Sequence, residues 1–186
     1  MKINKKIIYE MGFIGILRYI YRHFYVNIIK NTLITWYIKM LGAKIGKNVT
    51  FTVKPYVSNS SGLVVGDNCI IGAEILSTTG EGKIIIGKNT HIISGIIQAR
   101  TSVIIGDNVH ISGGCFIVDS NHNKEHKKQT VIIGDNTWMA YGVTMVPDSS
   151  VGNNCIVAAE AVVTKNFPDN VMIAGNPAII KQRVLN

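Results

Sequence analysis

Two of the five histidines, His122 and His126, fall in one polar run, Asp119-Ser120-Asn121-His122-Asn123-Lys124-Glu125-His126-Lys127-Lys128-Gln129-Thr130, which also supplies two carboxylates. An imidazole that is neutral near pH 7 can take the proton of a hydroxyl as that oxygen attacks an electrophile, and a base so placed gives about 10²–10⁴-fold in rate. His122 and His126 are both candidates for such a base. Asp119 would hold the imidazole in one tautomer and stabilise the imidazolium, with Glu125 its competitor for that role. His91 and His110 each stand five residues after the start of an aliphatic-Gly pair, as Trp138 does, an offset that would stack all three in one outward column. Paired imidazoles with a third in a nearby loop would suit zinc. The sequence does not show His122 or His126 reaching the pair, so no metal ligand is assigned. The three cysteines, odd in number and without a CxxC pair, build neither a disulfide framework nor a zinc site.

The elements that must position these groups are set by a repeat. An aliphatic-Gly-polar-Asn tetrapeptide occurs at Ile45-Gly46-Lys47-Asn48, Val65-Gly66-Asp67-Asn68, Ile86-Gly87-Lys88-Asn89, Ile105-Gly106-Asp107-Asn108, Ile133-Gly134-Asp135-Asn136 and Val151-Gly152-Asn153-Asn154. The spacings of 20, 21, 19, 28 and 18 residues reduce to a unit of 18 with insertions of 2, 3, 1, 10 and 0. Within the unit an aliphatic residue returns every six positions, through Ile105, Ile111 and Ile117 and again from Ile133 through Met139, Met145, Val151, Val157 and Val163. Four residues after each start the chain favours small or β-branched residues, among them Val109, Thr137, Ser149 and Ala161, and this is where Cys69, Cys115 and Cys155 also fall. The cysteines are therefore expected to pack inward as structural residues. Three short strands and three corners make one triangular coil, and coils stacked about 4.8 Å apart bury a continuous aliphatic column. The insertion of ten, between Ile117 and Ile133, is the polar run that carries the histidines, and a regular scaffold loses its regularity where function needs a loop.

A hydrophobic content of 47% against 16% charged residues excludes a disordered chain and leaves apolar surface for a homo-oligomer. The formal charge is +8, and residues 1–40 carry seven Lys and Arg against Glu10 alone, so +6 of it lies there with eight of the fourteen aromatics. No module organises that charge against bases, so no nucleic-acid partner is expected. Apolar positions at Ile7, Ile8, Met11, Ile14, Leu17 and Tyr21 follow helical spacing, which predicts helices within residues 4–40. They would cap the open end of the coil, and their Lys, Arg, Tyr and Trp would also fit peripheral contact with an anionic bilayer. No apolar run reaches the roughly 18–20 residues that cross a bilayer, and no signal-peptide pattern opens the chain, so the expected location is cytoplasmic.

Asn121-His122 followed by Gly134-Asp135-Asn136-Thr137-Trp138, then Val157-Ala158-Ala159-Glu160-Ala161-Val162-Val163-Thr164-Lys165, then Ile173-Ala174-Gly175-Asn176-Pro177-Ala178, closely resemble the signatures of the hexapeptide-repeat acyltransferases. That superfamily includes the galactoside, maltose, streptogramin and capsule-sugar O-acetyltransferases, and the repeat resemblance covers residues 45 to about 168. It implies a mainly β fold, a left-handed parallel β-helix. The hand comes from the family alone, since right-handed crossovers are the general rule. The expected organisation is an N-terminal helical segment at 1–40, a β-helix at 41–168 with an extruded loop at 118–131, and a CoA-binding tail at 169–186. The resemblance implies transfer of acetyl from acetyl-CoA to a hydroxyl of a sugar or polysaccharide precursor, without a required metal, with His122, ahead of His126, as base. It assigns CoA contacts to Trp138, Ala140, Tyr141, Ala159, Thr164, Lys165, Pro177 and Arg183, and implies a homotrimer, because family sites lie between subunits. Two departures stand out. Met139-Ala140-Tyr141-Gly142 replaces the usual Ile-Gly and small residue, and Ile179 stands where the family has an arginine, leaving Lys181 or Arg183 for the 3′-phosphate. The rival readings are N-acetylation of an amino or nucleotide sugar, a zinc enzyme like the carbonic anhydrases of this fold class, and a non-catalytic scaffold.

Overall fold

A computed structural model of the chain describes residues 31–78, 81–120 and 129–184, together with Gly15, Arg18 and Tyr21, which are helical. The aliphatic hexad positions decide the architecture. Ile105, Ile111, Ile117, Ile133, Met139, Met145, Val151, Val157 and Val163 are all at most 1% exposed and form one inward column. The smaller positions Val109, Cys115, Thr137, Val143, Ser149, Cys155 and Ala161 fill the space beside them and are also buried.

Around this column the chain winds in three-sided coils. The first face stacks β1 (Lys44–Ile45), β3 (Leu63–Val65), β5 (Lys83–Ile86), β7 (Ser102–Ile105), β10 (Thr130–Ile133), β13 (Ser150–Val151) and β16 (Asn166–Phe167), each parallel to the next. The second face holds β2 (Thr50–Phe51), the first parts of β4 (Ile70–Thr78) and β6 (His91–Ala99), then β8 (His110–Ile111), β11 (Trp138–Met139), β14 (Ile156–Val157) and β17 (Val171–Ala174). The third face is built from the second parts of β4 and β6 with β9 (Cys115–Val118), β12 (Thr144–Met145) and β15 (Val162–Val163). The last strand, β18 (Ile179–Arg183), reverses and pairs antiparallel with β17.

The corners explain the recurring Gly-polar-Asn. Asn48, Asn68, Asn89, Asn108, Asn136 and Asn154 all adopt left-handed φ between 54° and 60°, which Asn tolerates better than most residues. Their amides form a ladder in which each Nδ2 donates to the Oδ1 of the next coil at 3.1–3.2 Å, ending on Asn170. The glycines are set by closeness rather than by φ. A Cβ on Gly134 would stand 2.5 Å from the carbonyl carbon of Gly152, so this corner admits no side chain.

At the N-terminal end, α1 (Asn31–Met40) lies over the first coil with Ile34 and Ile38 buried. Asn31 ties it down, its Nδ2 donating to Val49 O at 3.0 Å and its Oδ1 accepting from Phe51 N at 2.7 Å. Gly42, at φ +99°, donates to Lys39 O and ends the helix in the left-handed conformation glycine permits. The helix thus lies against the first coil, and the rest of the expected 1–40 cap, apart from Gly15, Arg18 and Tyr21, falls outside the described residues.

Candidate functional site

The interrupted coil departs and returns at the edge where the third face meets the first, leaving after β9 and resuming at β10. Asp119, fully buried, stands at the departure. Its Oδ1 accepts from Arg100 N at 2.7 Å, and its Oδ2 from Thr101 N at 2.7 Å and Ser102 N at 2.6 Å. A carboxylate offers about four acceptor positions, so three are taken by the backbone of the preceding coil. At the return, Asp148 Oδ1 accepts from Thr130 N at 3.3 Å and Oδ2 from Gln129 Nε2 at 3.1 Å. The two ends of the loop are therefore each held by a carboxylate. Asp148 is absent from the sequence expectations, although a signal exists: every one of these bonds spans 17–19 residues, the length of one coil. Asn121, His122, Glu125 and His126 lie outside the described residues.

The other expected residues divide between two edges. Thr164 and Lys165 are exposed on the same edge as the loop, with Lys165 Nζ 5.6 Å from the centre of the Phe167 ring. Ala140, Tyr141 and Ala159 sit at the opposite end of the third face, where it meets the second. There Ala140 N donates to Val157 O and Glu160 N to Tyr141 O, both at 2.9 Å. The Tyr141 ring lies so close to Gly114 that a Cβ on that glycine would meet Cζ at 3.2 Å. The enlarged residue at this position thus rests on glycine of the preceding coil. Trp138 is half exposed on the second face, in register with His110, which is itself in register with His91. The three form the outward column their shared offset predicts, and the two imidazole centroids are 6.2 Å apart. Pro177, after a cis peptide bond, lies in the exposed turn between β17 and β18, and Arg183 is exposed at the end of β18.

The cysteines are interior groups. Cys69 Sγ donates to Gly87 O at 3.0 Å, Cys155 Sγ to Pro168 O at 3.3 Å and Cys115 Sγ to Ser112 O at 3.3 Å. Burial pushes all three thiols above their ordinary range, so none is poised as a thiolate nucleophile. Among the described residues no group of three or more His, Cys, Asp or Glu is arranged to hold a metal ion.

No family model matches the chain. Individual relatives do. WbbJ of Escherichia coli, named for O-acetyl transfer in lipopolysaccharide biosynthesis, is 31% identical over 147 residues, covering 68% of this chain and 75% of its own. WcaF of the same organism, named for acetyl transfer in colanic acid biosynthesis, is 30% identical over 149 residues, covering 79% and 73%. The chain belongs to the hexapeptide-repeat acetyltransferases. The hexapeptide-repeat acetyltransferase VCA0836 of Vibrio cholerae shares this fold with TM-score 0.63 at 17% identity, covering 84% of this chain and 82% of its own. The N-acyltransferase AntD of Bacillus cereus, solved with dTDP and coenzyme A, matches at TM-score 0.71 and 18% identity over 81% and 89%. The coil of this acetyltransferase is accordingly the left-handed β-helix expected from the resemblance. No helix among its described residues is long and apolar enough to cross a membrane.

Proposed function

We propose that this acetyltransferase moves an acetyl group from acetyl-CoA to a hydroxyl of a saccharide, with His122 as general base. The observation that carries the reading is the edge between the third and first faces. It holds the two carboxylate-anchored ends of the loop that bears His122, with Thr164 and Lys165 farther along. His122 takes the acceptor's O–H proton as that oxygen attacks the thioester carbonyl; the tetrahedral intermediate collapses with cleavage of the C–S bond, and the departing thiolate takes the proton back. No acyl-enzyme is needed, in keeping with three buried, protonated thiols. Asp119 fixes the root of the loop and orients the imidazole through it.

The donor contacts at Ala140, Tyr141, Ala159, Thr164 and Lys165 lie at the two ends of the third face. This favours a homotrimer in which one copy's loop edge meets the next copy's Trp138 and Tyr141. The names of WbbJ and WcaF favour a saccharide acceptor, and WbbJ's an oxygen nucleophile. The test is His122→Ala assayed with galactose and galactosamine as acceptors. The expected result is a loss of kcat of at least 10²-fold, an acetyl-CoA Kd changed less than twofold, and acetate on oxygen rather than nitrogen. An unchanged rate removes His122 from the mechanism.

A further inference from the structure

The loop edge carries a second feature, on the side of the loop away from Thr164 and Lys165. Three successive coils line an open cavity of about 650 Å³, within the range of small-molecule sites, whose lining includes Ser61, Glu81, Lys83, Arg100, Thr101 and Ser102. Apart from Gly62 and Gly82, every lining residue carries a polar or charged side chain. Lys83 and Arg100 bring two positive charges against one from Glu81, and among the described residues no ion pair engages any of the three. The hydroxyls of Thr101 and Ser102 add groups that both donate and accept, while Ser61 Oγ donates to Asn59 Oδ1 at 2.7 Å. The wall nearest the loop is the segment Arg100–Ser102, whose three backbone amides are bound by Asp119. One buried carboxylate therefore fixes both the cavity wall and the first residue of the loop.

A carboxylate and two hydroxyls lining one cavity suit the hydroxyls of a pyranose, and a guanidinium and an ammonium lining it suit an anion, the guanidinium in bidentate fashion. The donor-side residues of this edge, Thr164 and Lys165, lie beyond the loop, which leaves the near side of the edge for the other substrate. We propose that the cavity is the acceptor subsite and that it takes a saccharide bearing an anionic group, a uronate carboxylate or a sugar phosphate. The proposal rests on the acetyl-transfer reading above.

The test is a ligand-observed NMR titration of the full chain with glucose, glucuronic acid and glucose 1-phosphate, beside a calorimetric titration of the same protein with acetyl-CoA. One or both anionic sugars bind saturably and about tenfold tighter than glucose, and which one separates carboxylate from phosphate. Arg100→Ala removes that advantage, raising the anionic Kd roughly tenfold, as expected for loss of a charge-assisted contact, while the acetyl-CoA Kd stays unchanged. Glu81→Gln weakens glucose and the anionic sugars alike. Both side chains are exposed, so the variants fold, which a thermal melt verifies. Equal affinity for all three sugars, or an anionic Kd indifferent to Arg100→Ala, overturns the subsite. Anionic sugar binding that depends on Arg100 in a protein that does not bind acetyl-CoA upholds the cavity and refutes the transfer reading.

Discussion

Asp119 and His122 are three residues apart, and their substitution should fail in different ways. Asp119 accepts three backbone bonds in the interior, where a bond to a charged acceptor contributes about 1.5–3 kcal/mol. In Asp119→Asn one oxygen becomes an NH2 that faces an amide donor whichever way the group turns. We expect a loss of about 2–4 kcal/mol, roughly 4–16 °C in Tm for a chain of this size, measured by thermal unfolding, together with a fall in kcat. His122→Ala should abolish turnover with Tm within about 1 °C of the parent, since His122 falls in the insertion and not at a hexad position of the repeat. Equal melting temperatures for the two variants would contradict the anchoring role assigned to Asp119.

The elements were legible where one coil sufficed to read them. The column from Ile133 to Val163, the inward cysteines and the insertion between Ile117 and Ile133 all follow from a six-residue period that needs no knowledge of neighbouring coils. The loop anchors were half legible. Asp119 stood out for its closeness to His122, whereas Asp148 gains its meaning from Thr130 one coil earlier, a relation seen only when coils are superposed. The expected CoA contacts read as one site in sequence, but Ala159 and Thr164 bracket β15 and so face opposite edges of the third face. The cavity, assembled from residues dispersed between positions 59 and 102, had no local signature. The cysteines give the element-scale prediction. Their raised thiols contribute stability that is fully present below the unfolded thiol range and is lost as pH rises through the higher folded values. Unfolding free energy should therefore decline above about pH 9. At pH 8 a thiol reagent should label the native protein slowly, and all three sites promptly in guanidinium; fast native labelling would contradict the interior placement.

At the scale of the whole molecule, the proposed function divides the site between two edges of one triangle, and on that proposal assembly is a condition of catalysis. A single chain cannot bring the loop edge onto its own Trp138 and Tyr141 without breaking the third face. Mixing His122→Ala with Trp138→Ala subunits, each inactive alone, should regenerate intact sites between unlike neighbours, about one quarter of the total for random trimers. Activity that stays at background after refolding the mixture would mean that each chain holds a complete site. The stack itself raises a further issue, since a parallel coil ends on strands whose backbone groups invite another coil, and nothing in an 18-residue period says when to stop. Here β18 turns back and spends the hydrogen-bonding edge of β17 on an antiparallel partner of opposite direction, while α1 sits on the other end. An incoming parallel strand therefore finds the second-face edge of β17 already paired and α1 covering the opposite end. The same repeat that specifies the enzyme could in principle propagate as a fibre, and these two segments set its length.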